Sequence, residues 1–215
     1  MRRPTEPLSQ VRAAPADSAS GAAGTDEAGN DRPRPATLAE ATAADAEAVL
    51  ADLVEAGVVD ATGDDARPTD GFDERRRAEI ERLRALSLED LAAATLAMAP
   101  TATSAEAVTE GDRAFVVCSD GSGEPAGEVW IRRPVAVAET AAALGLAEAT
   151  DLPADRRAVA AHGLSVFLDD CPGCGTALET RKAGGCCGPP RTDADGHPLR
   201  ALVCSGCRTQ FVAFE

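Results

Sequence analysis

Twenty-nine residues separate two Cys-x-x-Cys pairs, Cys171-Pro172-Gly173-Cys174 and Cys204-Ser205-Gly206-Cys207, in the last quarter of this chain. Four thiols delivered as two short-spaced pairs match the donor set of tetrahedral zinc, which closes its shell with four protein ligands where its role is structural. Gly175 after the first pair, and Gly173 and Gly206 inside the pairs, are expected to supply the positive φ angles and close backbone approach that a metal knuckle needs. The gap between the pairs exceeds the usual span of about 15–20 residues, which predicts a hairpin with an enlarged loop. A redox dithiol is the competing use of such a pair.

A metal staple suits the rest of the composition. Aromatic residues make up 3% of the chain and tyrosine is absent, so much of the 44% hydrophobic fraction is alanine, which buries little area per residue. Small modules, one of them held by metal, fit this better than one large core. The formal net charge is −15, and Lys182 is the sole lysine among 21 basic residues. This acidic, lysine-poor, alanine-rich balance resembles proteins of halophilic archaea, which implies that the acidity answers to a salty solvent more than to a partner. The acidity is concentrated in residues 37–110, and 171–215 is the least acidic part with side-chain chemistry suited to folding. No apolar run reaches the length of a membrane span, and Met1-Arg2-Arg3-Pro4 leads into no apolar segment, so a cytoplasmic location is expected. Seven cysteines, most of them in knuckle-like pairs, agree with a reducing compartment.

Residues 1–36 mix Ala, Ser, Gly, Pro and acidic residues without apolar period, and are expected to form a disordered tail. A short helix is predicted at 37–41 and a longer one at 44–56, with Val49, Leu50, Leu53 and Val54 on one face and Gly57 ending it. Val58-Val59 then starts a strand that turns at Gly63-Asp64-Asp65. This succession resembles the second and third helices and the wing of a winged-helix domain, which implies a module over 37–100 whose longer helix could read DNA. Asp45, Glu47, Asp52 and Glu55 make that helix acidic, however, so phosphates are expected to repel it. A charged helix follows at 73–86 with Ile80, Leu83 and Leu86 inward, its Arg75-Arg76-Arg77 run read as a solvated, self-paired face. Ser87 is expected to cap a further helix ending before Pro100, with a linker over 101–111.

A central α/β region is predicted over 111–168. Residues 113–118 and 128–132 read as a hairpin, with Cys118 a buried small hydrophobe, followed by helices at 135–149 and 153–161 and a strand at 164–168. His162 is read as a helix-terminus residue.

The final unit, 169–215, resembles the zinc-ribbon family on the strength of its two knuckles and three candidate strands near 176–180, 199–203 and 209–214. The resemblance implies metal ligands at Cys171, Cys174, Cys204 and Cys207, a structural Zn2+, and docking on nucleic acid or other proteins. An insert, Gly184-Gly185-Cys186-Cys187-Gly188, departs from the pattern. Cys186 and Cys187 are read as small loop residues, with an alternative metal or redox role. His197 is read as a loop residue.

The expected architecture is therefore α+β: a winged-helix-like helical module, a small central region of hairpin plus helices, and a C-terminal zinc ribbon. The expected function is that of a zinc-binding regulatory or adaptor protein, associated with transcription by resemblance, with a protein partner and possible nucleic-acid contact at Arg200 and Arg208. Alternatives are an enzyme carrying a structural ribbon and a thiol-based redox sensor using Cys186 and Cys187.

Overall fold

The structure, a computed structural model, describes residues 46–62, 66–183, 192 and 196–214. The tail, the helix read at 37–41, the turn at 63–65 and the Cys186-Cys187 insert lie outside the described residues.

The first helix, α1 (Ala46–Glu55), buries Val49 and Leu53, one turn apart, against α5 (Ala154–Gly163). Leu50 and Val54, expected on the same face, instead point outward at 38% and 40% exposure. Each lies about 100° around the helix from its buried neighbour, and α5 covers only a narrow stripe. Gly57, at φ 68°, ends the helix, and its carbonyl accepts from the Thr69 hydroxyl. The short hairpin of β1 (Val59–Asp60) and β2 (Arg67–Pro68) follows.

Helix α2 (Asp70–Arg84) carries Asp70 and Asp73 in its first turn and Arg82 and Arg84 in its last, the arrangement that its dipole favours. The solvated reading of its arginine run fails at Arg76, which is 4% exposed. Its guanidinium donates to the Leu164 carbonyl at 2.8 Å and pairs with Asp73. The segment read as a strand at 164–168 is instead a 3-10 turn, Leu164–Phe167, whose carbonyls at Leu164 and Phe167 accept from Arg76. Helix α3 (Leu88–Leu96) is capped as expected, the Ser87 hydroxyl oxygen accepting from the Asp90 amide at 3.1 Å.

The expected linker over 101–111 is mostly a strand, β3 (Ser104–Glu110), paired antiparallel with β4 (Arg113–Ser119). Its own residues are weak strand formers, but Ala105 and Ala107 align with Cys118 and Val116 of the apolar β4, and that pairing decides the conformation. β5 (Glu128–Arg132) completes a sheet in the order β3-β4-β5. One face of it packs on α3 and α4 (Arg133–Ala149).

Helix α4 is the axis of the molecule. Alanine-rich and buried along most of its length, it touches α2, α3, α5, β4 and β5. Small side chains allow that crowding: the Gly145 backbone faces the Phe72 ring, and Thr140 meets Thr95 of α3 at 3.0 Å between hydroxyls. The helical segment and the central region thus share buried clusters.

The C-terminal sheet, β6 (Leu178–Lys182), β7 (Arg200–Cys204) and β8 (Gln210–Phe214), is antiparallel in that order. Leu178, Leu202, Phe211 and Val212 join the same cluster as Leu83, Val135 and Ile131, so this sheet packs on the rest of the protein through a continuous core. The architecture is α+β, with an N-terminal helix-and-hairpin module and a C-terminal sheet bearing the cysteine cluster, the winged-helix-like and zinc-ribbon-like layout expected. Among the described residues, no helix is long and apolar enough to cross a membrane.

Candidate metal centre

The sulfurs of Cys171, Cys174, Cys204 and Cys207 all lie within 4.8 Å of one another. Cys171 and Cys207 approach to 3.6 Å, and Cys174 and Cys204 to 3.4 Å. A tetrahedron of thiolates around zinc, with metal–sulfur bonds of about 2.3 Å, has edges of about 3.8 Å. The four residues therefore fit a tetrahedral metal ion as they stand, and they form a cluster able to coordinate one.

The two halves of the cluster are built alike. In each, the amide of the first cysteine donates to the carbonyl of a threonine five residues on: Cys171 to Thr176 at 2.9 Å and Cys204 to Thr209 at 2.8 Å. The same threonine places its hydroxyl beside the second sulfur, Thr176 at 3.3 Å from Cys174 and Thr209 at 3.2 Å from Cys207. In each, the residue after the second cysteine takes a left-handed conformation, Gly175 at φ 72° and Arg208 at φ 56°. Positive φ therefore falls at Gly175 but not at Gly173 or Gly206, contrary to expectation. Those two glycines serve close approach: a Cβ on Gly173 would stand 2.8 Å from Pro134 Cγ, and one on Gly206 would stand 2.7 Å from the Thr176 hydroxyl.

Burial divides the four thiols. Cys171 and Cys204 are buried in the shared core, Cys207 is partly covered and Cys174 is exposed. Desolvation pushes the Cys171 and Cys204 thiols up from their usual range. The Thr176 hydroxyl and amide pull Cys174 down to about 6. A divalent ion bound there would override this division by holding all four as thiolates.

The arginines proposed to meet nucleic acid are not brought together. Arg208 lies at the knuckle end of the sheet, its carbonyl accepting from Arg132 at 2.8 Å. Arg200 begins β7 at the opposite end, beside Lys182 and Phe214 in register, its guanidinium 5.9 Å from the Phe214 ring centre. Cys186 and Cys187 lie outside the described residues. Cys118 is buried, as expected, in the core and is not one of the four clustered sulfurs.

Two features escaped the sequence. His162 is more than a helix terminus, because its Nδ1 meets the fully buried Glu139 carboxylate at 2.9 Å. Arg132 reaches the second knuckle, donating also to the Cys207 carbonyl at 3.3 Å. A pair of arginines closing an apolar strand just before Pro134 is the signal that could have drawn attention to it.

No curated protein and no solved structure matches the chain. A family match does exist over residues 45–164, more than half of the chain, and it ends before the first knuckle. On that match the chain belongs to the family of unknown function described as DUF8054, central domain.

Proposed function

We propose that this protein is a zinc-binding adaptor of a regulatory kind, in which Zn2+ at Cys171, Cys174, Cys204 and Cys207 holds a ribbon against the family domain for contact with a protein partner. The observation that carries this reading is the convergence of four sulfurs within 4.8 Å from two equivalent knuckles. A four-thiolate shell leaves no coordination position for water, so zinc here supplies folding free energy rather than hydrolytic chemistry. An association with transcription follows from the likeness to a winged-helix-like piece joined to a ribbon. The acidic composition points to a solvent rich in salt, where long-range attraction is screened and recognition rests on close contacts. Arg200 and Arg208 are the candidate contacts should the partner be a nucleic acid, and their places at opposite ends of the sheet require a ligand that runs along it.

Metal analysis of the purified chain tests the first half, with one zinc per chain expected and loss of zinc in Cys207→Ser. Partner capture at high salt, with and without nuclease and with Cys207→Ser as the control, tests the second. A specific partner retained in the presence of nuclease and lost in the variant supports the adaptor reading. Metal-free protein with an intact ribbon, or no partner that distinguishes the variant, overturns it.

A further inference from the structure

Three consecutive residues at the junction of β5 and α4 seat the ribbon on the family domain. Arg132 donates to the carbonyls of Cys207 and Arg208 in the second knuckle, at 3.3 and 2.8 Å. Pro134 lies against Gly173 in the first knuckle, where a Cβ would approach its ring to 2.8 Å. Between them, Arg133 reaches the other way and donates to the carbonyls of Arg84, the last residue of α2, and of Leu86 just beyond it, at 3.2 and 2.8 Å. The junction therefore grips both knuckles on one side and the α2–α3 turn on the other.

Arg132 has more than a hydrogen-bonding role. It meets the four-sulfur cluster through the backbone of Cys207 itself. Its Nε is buried with no hydrogen-bond partner among the described residues. A buried N–H of a cation costs free energy unless negative charge stands nearby to offset it. A divalent ion held by four thiolates carries a net double negative charge, which is such an offset, and the guanidinium in turn reduces the repulsion among the thiolates.

We propose that Arg132 is a positioning residue of the metal centre, whose cation offsets the charge of the metal tetrathiolate and whose two carbonyl contacts couple metal binding to the seating of the ribbon on the family domain. This rests on the four-cysteine metal reading. Metal bound outside the family domain then stabilises the domain itself, in part through a side chain that the domain contributes.

A reporter stands on the same strand. Trp130 is two residues from Arg132 and so shares its face of β5, and its ring packs edge-on against Phe115, which lies opposite Arg132 in register. The test uses the full chain and Zn2+ alone as the probe. Zinc affinity is read by competition with a chromophoric chelator, and Trp130 emission is followed through the same titration. In the native chain, one zinc binds and Trp130 emission shifts as it does so. Arg132→Gln should weaken zinc by about 10–100-fold, the usual cost of removing a group that supports metal ligands, and should abolish the Trp130 shift. Arg132→Lys, which keeps the charge but not the fork, should lose less affinity and still lose the shift. Native-like far-UV circular dichroism establishes that each variant is folded, and Arg132→Lys carries the test if Arg132→Gln fails to fold. Native affinity and a native shift in either folded variant overturn the proposal while leaving the metal site standing. A native chain that binds no zinc overturns the metal reading and this one with it.

Discussion

Glu139 of α4 and His162 of α5 meet at 2.9 Å between Oε1 and Nδ1, the Glu139 side chain with no exposure and the His162 side chain 26% exposed. The contact joins two helices that also share an alanine-lined interface, in which little apolar area is available to hold them. His162→Ala takes a partner from a buried carboxylate and should lower stability by about 1–3 kcal/mol. His162→Gln, which can still donate to Glu139, should lose less. Urea unfolding of the metal-loaded chain measures both, and equal losses in the two variants would contradict a hydrogen-bonding role.

Gly173 and Gly163 make a matched pair. A methyl group on Gly173 meets Pro134 at 2.8 Å, so Gly173→Ala should push the first knuckle off its seat and cost about 1–3 kcal/mol. Gly163 ends α5 in right-handed helical conformation with nothing within 4 Å of an added Cβ. Gly163→Ala should therefore stabilise the chain by about 0.4–1 kcal/mol, mainly by restricting the unfolded state. Thermal unfolding of the two variants should show midpoints displaced in opposite directions.

Arg208 and Gly175 occupy equivalent left-handed positions, one with a side chain and one without. Gly175→Ala should cost about 1–2 kcal/mol, the penalty for an L-residue in that conformation. Arg208→Gly should relieve part of the same penalty, while its carbonyl remains available to Arg132. Comparing unfolding midpoints of the two metal-loaded variants checks the equivalence; similar losses from both would contradict it.

Burial pushes the Cys118 thiol up to about 11, so very little of it is thiolate near pH 8. Iodoacetamide at that pH should label Cys118 only after denaturation, as read by peptide mass spectrometry. The same raised value gives the sign of its effect on stability. Folding favours the thiol, so its contribution is present below the ordinary value near 9 and unchanged down to low pH. It does not grow between 9 and 11, because there the unfolded chain ionises while the folded one does not, and stability falls through that window.

The cysteine cluster was legible because its pattern is local: two cysteines three residues apart in sequence must lie close, and two such pairs match the donor set of one tetrahedral ion. The left-handed Arg208 was not, since nothing in an arginine announces positive φ. Leu50 and Val54 share a helical face with Val49 and Leu53 on paper, but which stripe is covered depends on α5, more than a hundred residues away. Arg76 was lost in a charged run because its burial depends on carbonyls delivered by the turn at Leu164–Phe167. Glu139 and His162 are 23 residues apart on different helices, and no periodicity relates them. Side chains that meet across elements are fixed by packing, which a pattern of single residues does not encode.

Strand β3 forms one edge of its sheet, and among the described residues it pairs only with β4. Such an edge offers free amides and carbonyls to any extended chain that drifts past, including a second copy of itself. Glu106 and Glu110, both exposed, stand four residues apart along it. Two such edges laid together would crowd glutamates at short range, where salt screens least, so this edge strand carries its own charge barrier to growing into a fibre.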